Sequence, residues 1–205
     1  MIIALIGFGA MQNLLAQSKY VEGIRGGYTS ARQEIKLNSF EGTDVSAGSG
    51  FYVGFYAERR FAERFSFHLD LDYLNVTSEI ANSENVKMRL NNGLLIVPLS
   101  LKVFPTYDLG IYLGGYLGTS LHNKIALSST NLTSTQLLDL QKKIEKEIKD
   151  DKLGSVYGLR FGADYRVWED LHLEMFYYMG FPKKGKNKTT QYNANLITAG
   201  LNYRF

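Results

Sequence analysis

The stretch Leu171–Met179, with the sequence LHLEMFYYM, decides the fold of this chain. Its odd positions are Leu, Leu, Met, Tyr and Met, whereas its even positions begin with His172 and Glu174. A repeat of two residues places these sets on opposite faces of a β-strand. The stretch therefore predicts an amphipathic strand with one apolar face and one polar face.

The same alternation recurs along the chain, in residues 24–28, 51–58, 65–73, 95–103, 109–118, 159–167 and 197–205. Tight turns predicted at 61–64, 105–108 and 168–170 alternate with long loops predicted at 31–49, 77–88, 120–153 and 181–191. This layout is typical of a transmembrane β-barrel. We therefore predict an all-β, eight-stranded antiparallel transmembrane β-barrel over residues 18–205, with the short turns and both termini on the periplasmic side. A soluble β-sandwich or lipocalin-like barrel is the alternative.

Composition agrees with strands and excludes several classes of function. The 205 residues suit one domain, and they include 14 Tyr, 12 Phe and 20 Gly but no Cys. The absence of Cys excludes a disulfide framework and a thiolate metal site. A net charge of +3 is too small to indicate nucleic-acid binding. Because no metal motif, P-loop or dinucleotide fingerprint occurs, we expect no cofactor and no metal.

The first residues read as a targeting segment. Residues 1–17, MIIALIGFGAMQNLLAQ, form an apolar run that ends in Leu-Ala-Gln. This pattern predicts a secretory signal peptide. No Lys or Arg precedes the apolar run, so we expect that its start is placed too late; a membrane anchor is the alternative.

Four short motifs resemble a known family. They are Gly23–Gly27 (GIRGG), Ile96–Leu99 (IVPL), Gly158–Gly162 (GLRFG) and the terminal Asn202–Phe205 (NYRF). With these motifs, residues 20–205 resemble the Bacteroidetes outer-membrane β-barrel proteins that are labelled porin family or PorT-like. The resemblance implies an integral protein of the Gram-negative outer membrane, whose last strand is read by the barrel assembly machinery. It implies no particular reaction.

The polar faces of the strands predict what lies inside the barrel. Side chains just fill a barrel of eight strands, and unpaired buried charges are costly, so we expect a charge-balanced network. Its predicted members are Arg25, Glu58, His68, Asp70, Asp72, Lys102, Arg160, Asp164, Arg166, His172, Glu174 and Arg204. The pairs His68–Asp70 and His172–Glu174 are expected to meet across the lumen. A narrow ion path or acid–base catalysis is the functional alternative to a structural network.

Aromatic residues near the strand ends predict two membrane-interface girdles. The periplasmic girdle would contain Phe65, Phe104, Tyr107, Trp168, Tyr203 and Phe205, and the outer girdle Tyr28, Phe51, Tyr73, Tyr177 and Phe181. Within the strands, Pro98 lacks a ladder donor, so a bulge or kink is expected there.

The predicted loops contain two further features. Apolar residues at helical spacing, and a capping box formed by Thr133 and Gln136, predict a helix over residues 133–152 in a long extracellular loop. We expect it to act as a lid or as a contact for a partner protein or surface glycan. Lys183, Lys184, Lys186 and Lys188 form a basic cluster that is a candidate for binding lipopolysaccharide phosphates; a solvated loop is the alternative.

These patterns predict a non-enzymatic outer-membrane barrel with a structural, surface-interaction or secretion-accessory role. Outer-membrane lipid and lipopolysaccharide are the expected partners, with a possible protein partner at the extracellular loops. A lipid- or peptide-modifying enzyme at the outer rim is the first alternative, for which His122 with Ser120, Ser128 or Ser129 would be needed. A narrow pore is the second.

Overall fold

The computed structural model describes residues 20–36, 47–81, 86–129, 133–150, 155–184 and 191–205. The strands are β1 (Tyr20–Lys36), β2 (Ala47–Ala62), β3 (Phe65–Ala81), β4 (Val86–Val103), β5 (Leu109–Ser129), β6 (Ser155–Arg166), β7 (Leu171–Gly180), β8 (Lys183–Lys184) and β9 (Gln191–Arg204), and the helix is α1 (Ser134–Asp150). The predicted signal peptide, residues 1–17, lies outside the described residues. The described helix lacks the length and apolar content of a membrane span.

The strands close into one barrel. Each long strand pairs antiparallel with the next along the chain, and β9 pairs back with β1 from Gly23↔Arg204 to Lys36↔Gln191. The two-residue β8 pairs with β9 beyond the end of β7, on the edge of β9 that faces away from β1. The prediction of an eight-stranded antiparallel barrel with one helix is confirmed. We call the end with the connections 63–64, 104–108 and 167–170 the turn end, and the opposite end the loop end.

The middle of the barrel has its apolar face outward. Phe55, Leu99, Leu113 and Met175 point out of the barrel with more than half of their surface exposed. Their neighbours in sequence point inward and are buried. A barrel that dissolves in water has the opposite arrangement, so this outer band has the chemistry of a surface that contacts lipid.

The strands are longer than predicted, and parts of three expected loops are strand. The predicted loop 31–49 contains the end of β1 and the start of β2. The predicted loop 77–88 contains the end of β3 and the start of β4, and β5 continues to Ser129 within the predicted loop 120–153. The physical reason is a change of chemistry along each strand. In these extensions, apolar Met88 and Leu90 point inward while Lys87 and Arg89 point outward, so the lipid-facing pattern disappears although the pairing continues.

The interior consists of two layers along the barrel axis. Towards the turn end it is charged and aromatic; towards the loop end it is an apolar cluster. The apolar layer contains Ala31, Leu74, Val76, Met88, Leu90, Leu94, Ile96, Ile125, Val156, Ala194 and Leu196. The barrel therefore has a membrane-type section and a section built like a water-soluble barrel.

Helix α1 covers the apolar layer. The capping box is confirmed: the N–H of Thr133 donates to Oε1 of Gln136 at 3.0 Å, and the N–H of Gln136 donates to Oγ1 of Thr133 at 3.5 Å. Ile144 is fully buried within the apolar cluster, and Leu140 packs against it. The helix contacts β5, which places it as a lid on the loop end.

The irregularity expected at Pro98 is smaller than predicted. The β3–β4 ladder has no pairs for Asp70 and Leu71 but resumes in the same register, and Pro98 still pairs with Tyr116 on β5. The missing donor of Pro98 therefore interrupts one ladder without a bulge. The register shift of β4 against β5 lies instead between Gly93 and Leu94.

We expect Gly162→Ala to destabilise the barrel and Gly115→Ala to leave it unchanged. A Cβ at Gly162 would lie 2.1 Å from Cδ1 of Phe176, whereas a Cβ at Gly115 meets only the carbonyl oxygen of Gly158 at 3.5 Å. Overpacking costs about 1–3 kcal/mol. Urea unfolding in vesicles, followed by the gel shift between folded and heated protein, measures both variants; equal free energies of unfolding would contradict the packing argument.

The lid should depend on Ile144. Ile144→Ala removes a fully buried side chain and should cost about 2–5 kcal/mol, whereas Leu138→Ala, on the same helix, removes a side chain that is 52% exposed. Amide hydrogen exchange of α1 measures this local stability. Faster exchange in I144A than in L138A is the expected result, and the same rate in both variants would show that the helix does not dock through Ile144.

Candidate functional site

Asp70 is the centre of the charged layer. This fully buried carboxylate on β3 contacts the guanidinium groups of Arg25 on β1 and Arg160 on β6, and Nε2 of His68 lies 2.9 Å from Oδ1. Arg25 also reaches Glu174 on β7 at 2.9 Å. Burying a charged group carries a desolvation penalty, and charge-assisted hydrogen bonds offset this penalty only when each charged group makes several of them. The cluster therefore ties four strands together across the lumen.

A second cluster forms around Lys102, nearer the turn end. Its ammonium group donates to Glu58 at 3.0 Å and to Asp164 at 2.8 Å. The hydroxyl of Tyr112 also donates to Asp164, at 2.9 Å. His68 links the two clusters, because its Nδ1 lies 3.6 Å from Glu58. The charged side chains thus form one continuous network.

Interior aromatic rings, which the sequence analysis did not single out, separate the charges. The guanidinium of Arg160 lies 3.7 Å from the ring centroid of Phe176, and that of Arg25 lies 4.5 Å from the same centroid. The hydroxyl of Tyr52 donates to Glu174 at 2.6 Å. These rings occupy the same alternating, inward-facing positions of the strands as the charged residues. That alternation is the signal that could have identified them. They fill space that water would otherwise occupy.

The two histidine–carboxylate pairs differ. His68 contacts Asp70 directly, but His172 does not contact Glu174; its Nδ1 lies 3.5 Å from Asp164 instead. Glu174 receives hydrogen bonds from Tyr52 and from Asn202. The two predicted pairs do approach one another, since Arg25 bridges Asp70 and Glu174.

Two predicted members lie at the mouth rather than inside. Arg166 is the last residue of β6, its side chain is 39% exposed and it pairs with Asp108; Arg204 ends β9 with a side chain that is 19% exposed. Strand-terminal positions lie beyond the enclosed section, which is why parity alone misplaced them. The predicted balance of charge is therefore wrong: the buried bases are Arg25, Lys102 and Arg160, against the buried acids Glu58, Asp70, Asp72, Asp164 and Glu174.

Asp72 is the least compensated of these acids. The hydroxyl of Tyr178 donates to its Oδ2 at a long 3.4 Å, and Nε of Arg25 lies 3.7 Å from Oδ1. Oδ1 accepts no hydrogen bond from the described residues. The excess of carboxylate is thus greatest where the charged layer meets the apolar one.

The outer-rim residues do not assemble into a catalytic triad within the described part of the chain. The His122 ring lies against Gly93 on the outside, with Nε2 3.3 Å from Oδ1 of Asn91. The hydroxyl of Ser120 donates to the backbone carbonyl of His122 and to Asn123, not to the imidazole.

Most of the predicted girdle rings point outward. Phe205, Tyr107 and Trp168 are 73%, 82% and 76% exposed at the turn end. Tyr28, Phe51, Phe65, Tyr177, Phe181 and Tyr203 are also exposed, and Tyr73 is half-buried. The prediction that Phe104 belongs to the periplasmic girdle is wrong. Its ring is buried and lies between the cationic groups of Arg60 and Lys102. Its parity matches that of Lys102, so the alternation itself directs the ring inward.

The basic cluster of the last loop lies largely outside the described side chains. The backbone of Lys183 and Lys184 forms β8, paired with Tyr192 and Gln191. Lys186 and Lys188 are outside the described residues. Among the described residues, no three His, Asp or Glu side chains are grouped to hold a metal ion.

Comparison with protein families decides the classification. The model of the outer membrane protein beta-barrel domain matches residues 1–205. The chain belongs to this family. Its place is therefore the outer membrane.

One solved structure shows the same fold as this outer-membrane barrel. OprG from Pseudomonas aeruginosa superposes with a TM-score of 0.56 at 18% identity, covering 92% of this chain and 97% of that one. The attachment invasion locus protein Ail of Yersinia pestis gives a TM-score of 0.49 at 12% identity, with 91% and 99% covered. No curated protein matches the sequence. At 18% identity the likeness to OprG shows the fold alone.

In this outer-membrane barrel, removal of one network cation should be strongly destabilising. Lys102→Met leaves Glu58 and Asp164 without their shared ammonium group, and the loss of one partner from a buried pair costs about 3–5 kcal/mol. Urea unfolding in vesicles measures the change.

Arg89→Met is the matched control. Arg89 faces outward at the loop end and pairs with Glu79 at 3.9 Å, with both side chains 65% exposed. An exposed pair contributes at most about 1 kcal/mol. Similar destabilisation in K102M and R89M would refute the assignment of Lys102 as a compensated buried cation.

Proposed function

We propose that this protein is a non-enzymatic, closed outer-membrane barrel that acts through its surfaces, in a structural, surface-interaction or secretion-accessory role. The observation that carries the proposal is the filling of the lumen over its length by ion pairs, rings and then aliphatic side chains. Such an interior stabilises a scaffold and leaves recognition to the outside.

The filled cross-section argues against conduction. In the charged layer, Arg160, Tyr178 and Phe176 are almost inaccessible to solvent. In the apolar layer, Leu74, Leu94 and Ile96 are equally buried. An ion would have to cross both layers, and apolar constrictions exclude hydrated ions by dewetting.

The loop end supports a surface role. On β5, Thr119–Ser129 continues past the apolar band for roughly 30 Å along the strand. Exposed residues on this section, such as Lys87, Arg89 and Lys124, give it a polar outer surface. Since its interior is a packed apolar core under α1, the section is a rigid platform that projects beyond the membrane.

Several partners are part of the proposal. The apolar band and the outward rings fit contact with lipid at two interfaces, and the lysines of the last loop fit lipopolysaccharide phosphates. The terminal Phe205, 73% exposed and packed beside Tyr203, fits recognition by the barrel assembly machinery. We infer that the turn end faces the periplasm. We also propose that the chain falls in the porin-family or PorT-like group of Bacteroidetes barrels.

Planar-bilayer recording tests the closed lumen. The refolded wild-type protein should show no steady unitary current, because buried rings and aliphatic side chains fill the two layers. Phe176→Ala/Tyr178→Ala removes two inward rings from β7, and Met175→Ala/Tyr177→Ala removes two outward side chains from the same strand. A leak in the inward variant alone is expected; steady currents from the wild-type protein would refute the proposal.

Lipid analysis tests the enzyme alternative. Cells that express the wild-type protein or His122→Ala should have the same outer-leaflet lipids by mass spectrometry, with Asn123→Ala as the neighbouring control. A lipid modification that is lost only in H122A would favour a rim enzyme over the surface role.

A further inference from the structure

The turn end contains a cavity that has no part in the proposed closure of the lumen. Its volume is about 250 Å³, and it opens between the β2–β3 turn, the β4–β5 turn and the ends of β6 and β9. Four of its lining residues are arginines: Arg60, Arg64, Arg166 and Arg204. We call these four residues the arginine mouth.

The walls of the cavity are fixed by backbone hydrogen bonds. The N–H of Phe104 donates to the carbonyl of Arg64 at 3.0 Å, which ties the two turns together. The N–H of Arg166 donates to the carbonyl of Asp108 at 2.7 Å, which ties the β4–β5 turn to β6. The arginine mouth therefore belongs to a braced set of turns, and its geometry is preorganised for a ligand.

The positive charge in the cavity is only partly neutralised. Arg166 is held by Asp108, with Nε 2.8 Å from Oδ1. Nη2 of Arg204 lies 3.8 Å from Asp164, while its Nε is buried and donates to none of the described residues. Arg60 and Arg64 make no ion pair within the described chain. Among the described residues, Glu63 is the one acid in the lining.

The floor of the cavity is aromatic. The guanidinium of Arg60 lies 4.1 Å from the ring centroid of Phe104, which is 7% exposed. This stacking orients the guanidinium plane and leaves its edge N–H groups available, since the contact uses its face. Pro105 adds an apolar wall beside the ring.

We propose that the arginine mouth binds a phosphate group carried by a phosphate ester. Guanidinium groups from separate elements converge on one cavity, which suits an anion with several oxygens around one centre. The apolar floor suits the carbon side of an ester. The cavity is smaller than sites for drug-sized ligands, so it accommodates a headgroup-sized ligand. Either a phospholipid headgroup of the adjoining leaflet or a soluble phosphate ester offers this chemistry.

Calorimetry on the refolded full chain in octyl glucoside, at about 0.15 M NaCl, tests binding of glycerol 3-phosphate. Native mass spectrometry from phosphatidylglycerol nanodiscs tests the lipid source. Arg60→Gln/Arg64→Gln should weaken binding at least about tenfold, because two charge-assisted donors are lost. Lys87→Gln/Arg89→Gln removes the same charge at the loop end and should change binding less than about twofold.

Each result of these binding experiments either supports or overturns the proposed phosphate site. Arginine-dependent binding of either probe supports the site, and the probe that binds identifies the source. Absence of binding of both probes to the wild-type protein, or equal losses in the two double variants, overturns it. The heated-gel shift checks folding of each variant. Arg64→Gln alone changes an exposed side chain in a turn, and it should still weaken binding about threefold or more.

Discussion

The pairing of β1 with β9 is the constraint on which the rest of the structure depends. Lipid offers no partner for backbone N–H and C=O groups, so a sheet can cross it only without an edge. The ladder from Gly23↔Arg204 to Lys36↔Gln191 removes that edge. Once the sheet is closed at eight strands, the diameter of the lumen is set, and the inward side chains must fill it.

This filling explains the pairing of very small with very large residues inside. Gly110 leaves the space that the Lys102 side chain occupies, since a Cβ there would lie 2.2 Å from Cε. Phe176 similarly lies over Gly162. The long cations reach the middle of the lumen, where Arg25 and Lys102 each meet carboxylates from two strands and Arg160 meets Asp70. The rings lie between them. The network therefore holds opposite walls of the barrel together.

The barrel changes character along its axis because its surroundings change. The buried charges lie behind the apolar outside, and the aliphatic layer begins while the outside is still apolar, since inward Ile96 and Leu196 have exposed Val97 and Ile197 as neighbours. Further along, as at Lys87 and Arg89, the outside becomes polar while inward Met88 and Leu90 stay aliphatic. Leu74 follows Asp72 on the inward face of β3 and marks the crossover. Helix α1 is required only at the second section, since an apolar core open to water must be covered, and Ile144 and Leu140 cover it.

The sequence alone determined the fold, because the two-residue period in segments such as Leu171–Met179 specifies faces without any knowledge of partners. It also determined α1 and its cap, which are local. Only the tertiary structure decided where each strand ends, because pairing continues through segments whose outward face is polar. The depth of a side chain was likewise decided by the closed ladder: parity gave Arg166 and Lys102 the same face, but register placed one at the mouth and the other among buried carboxylates. For the same reason the arginine mouth, assembled from one turn and the ends of three strands distant in sequence, has no signature in the linear chain.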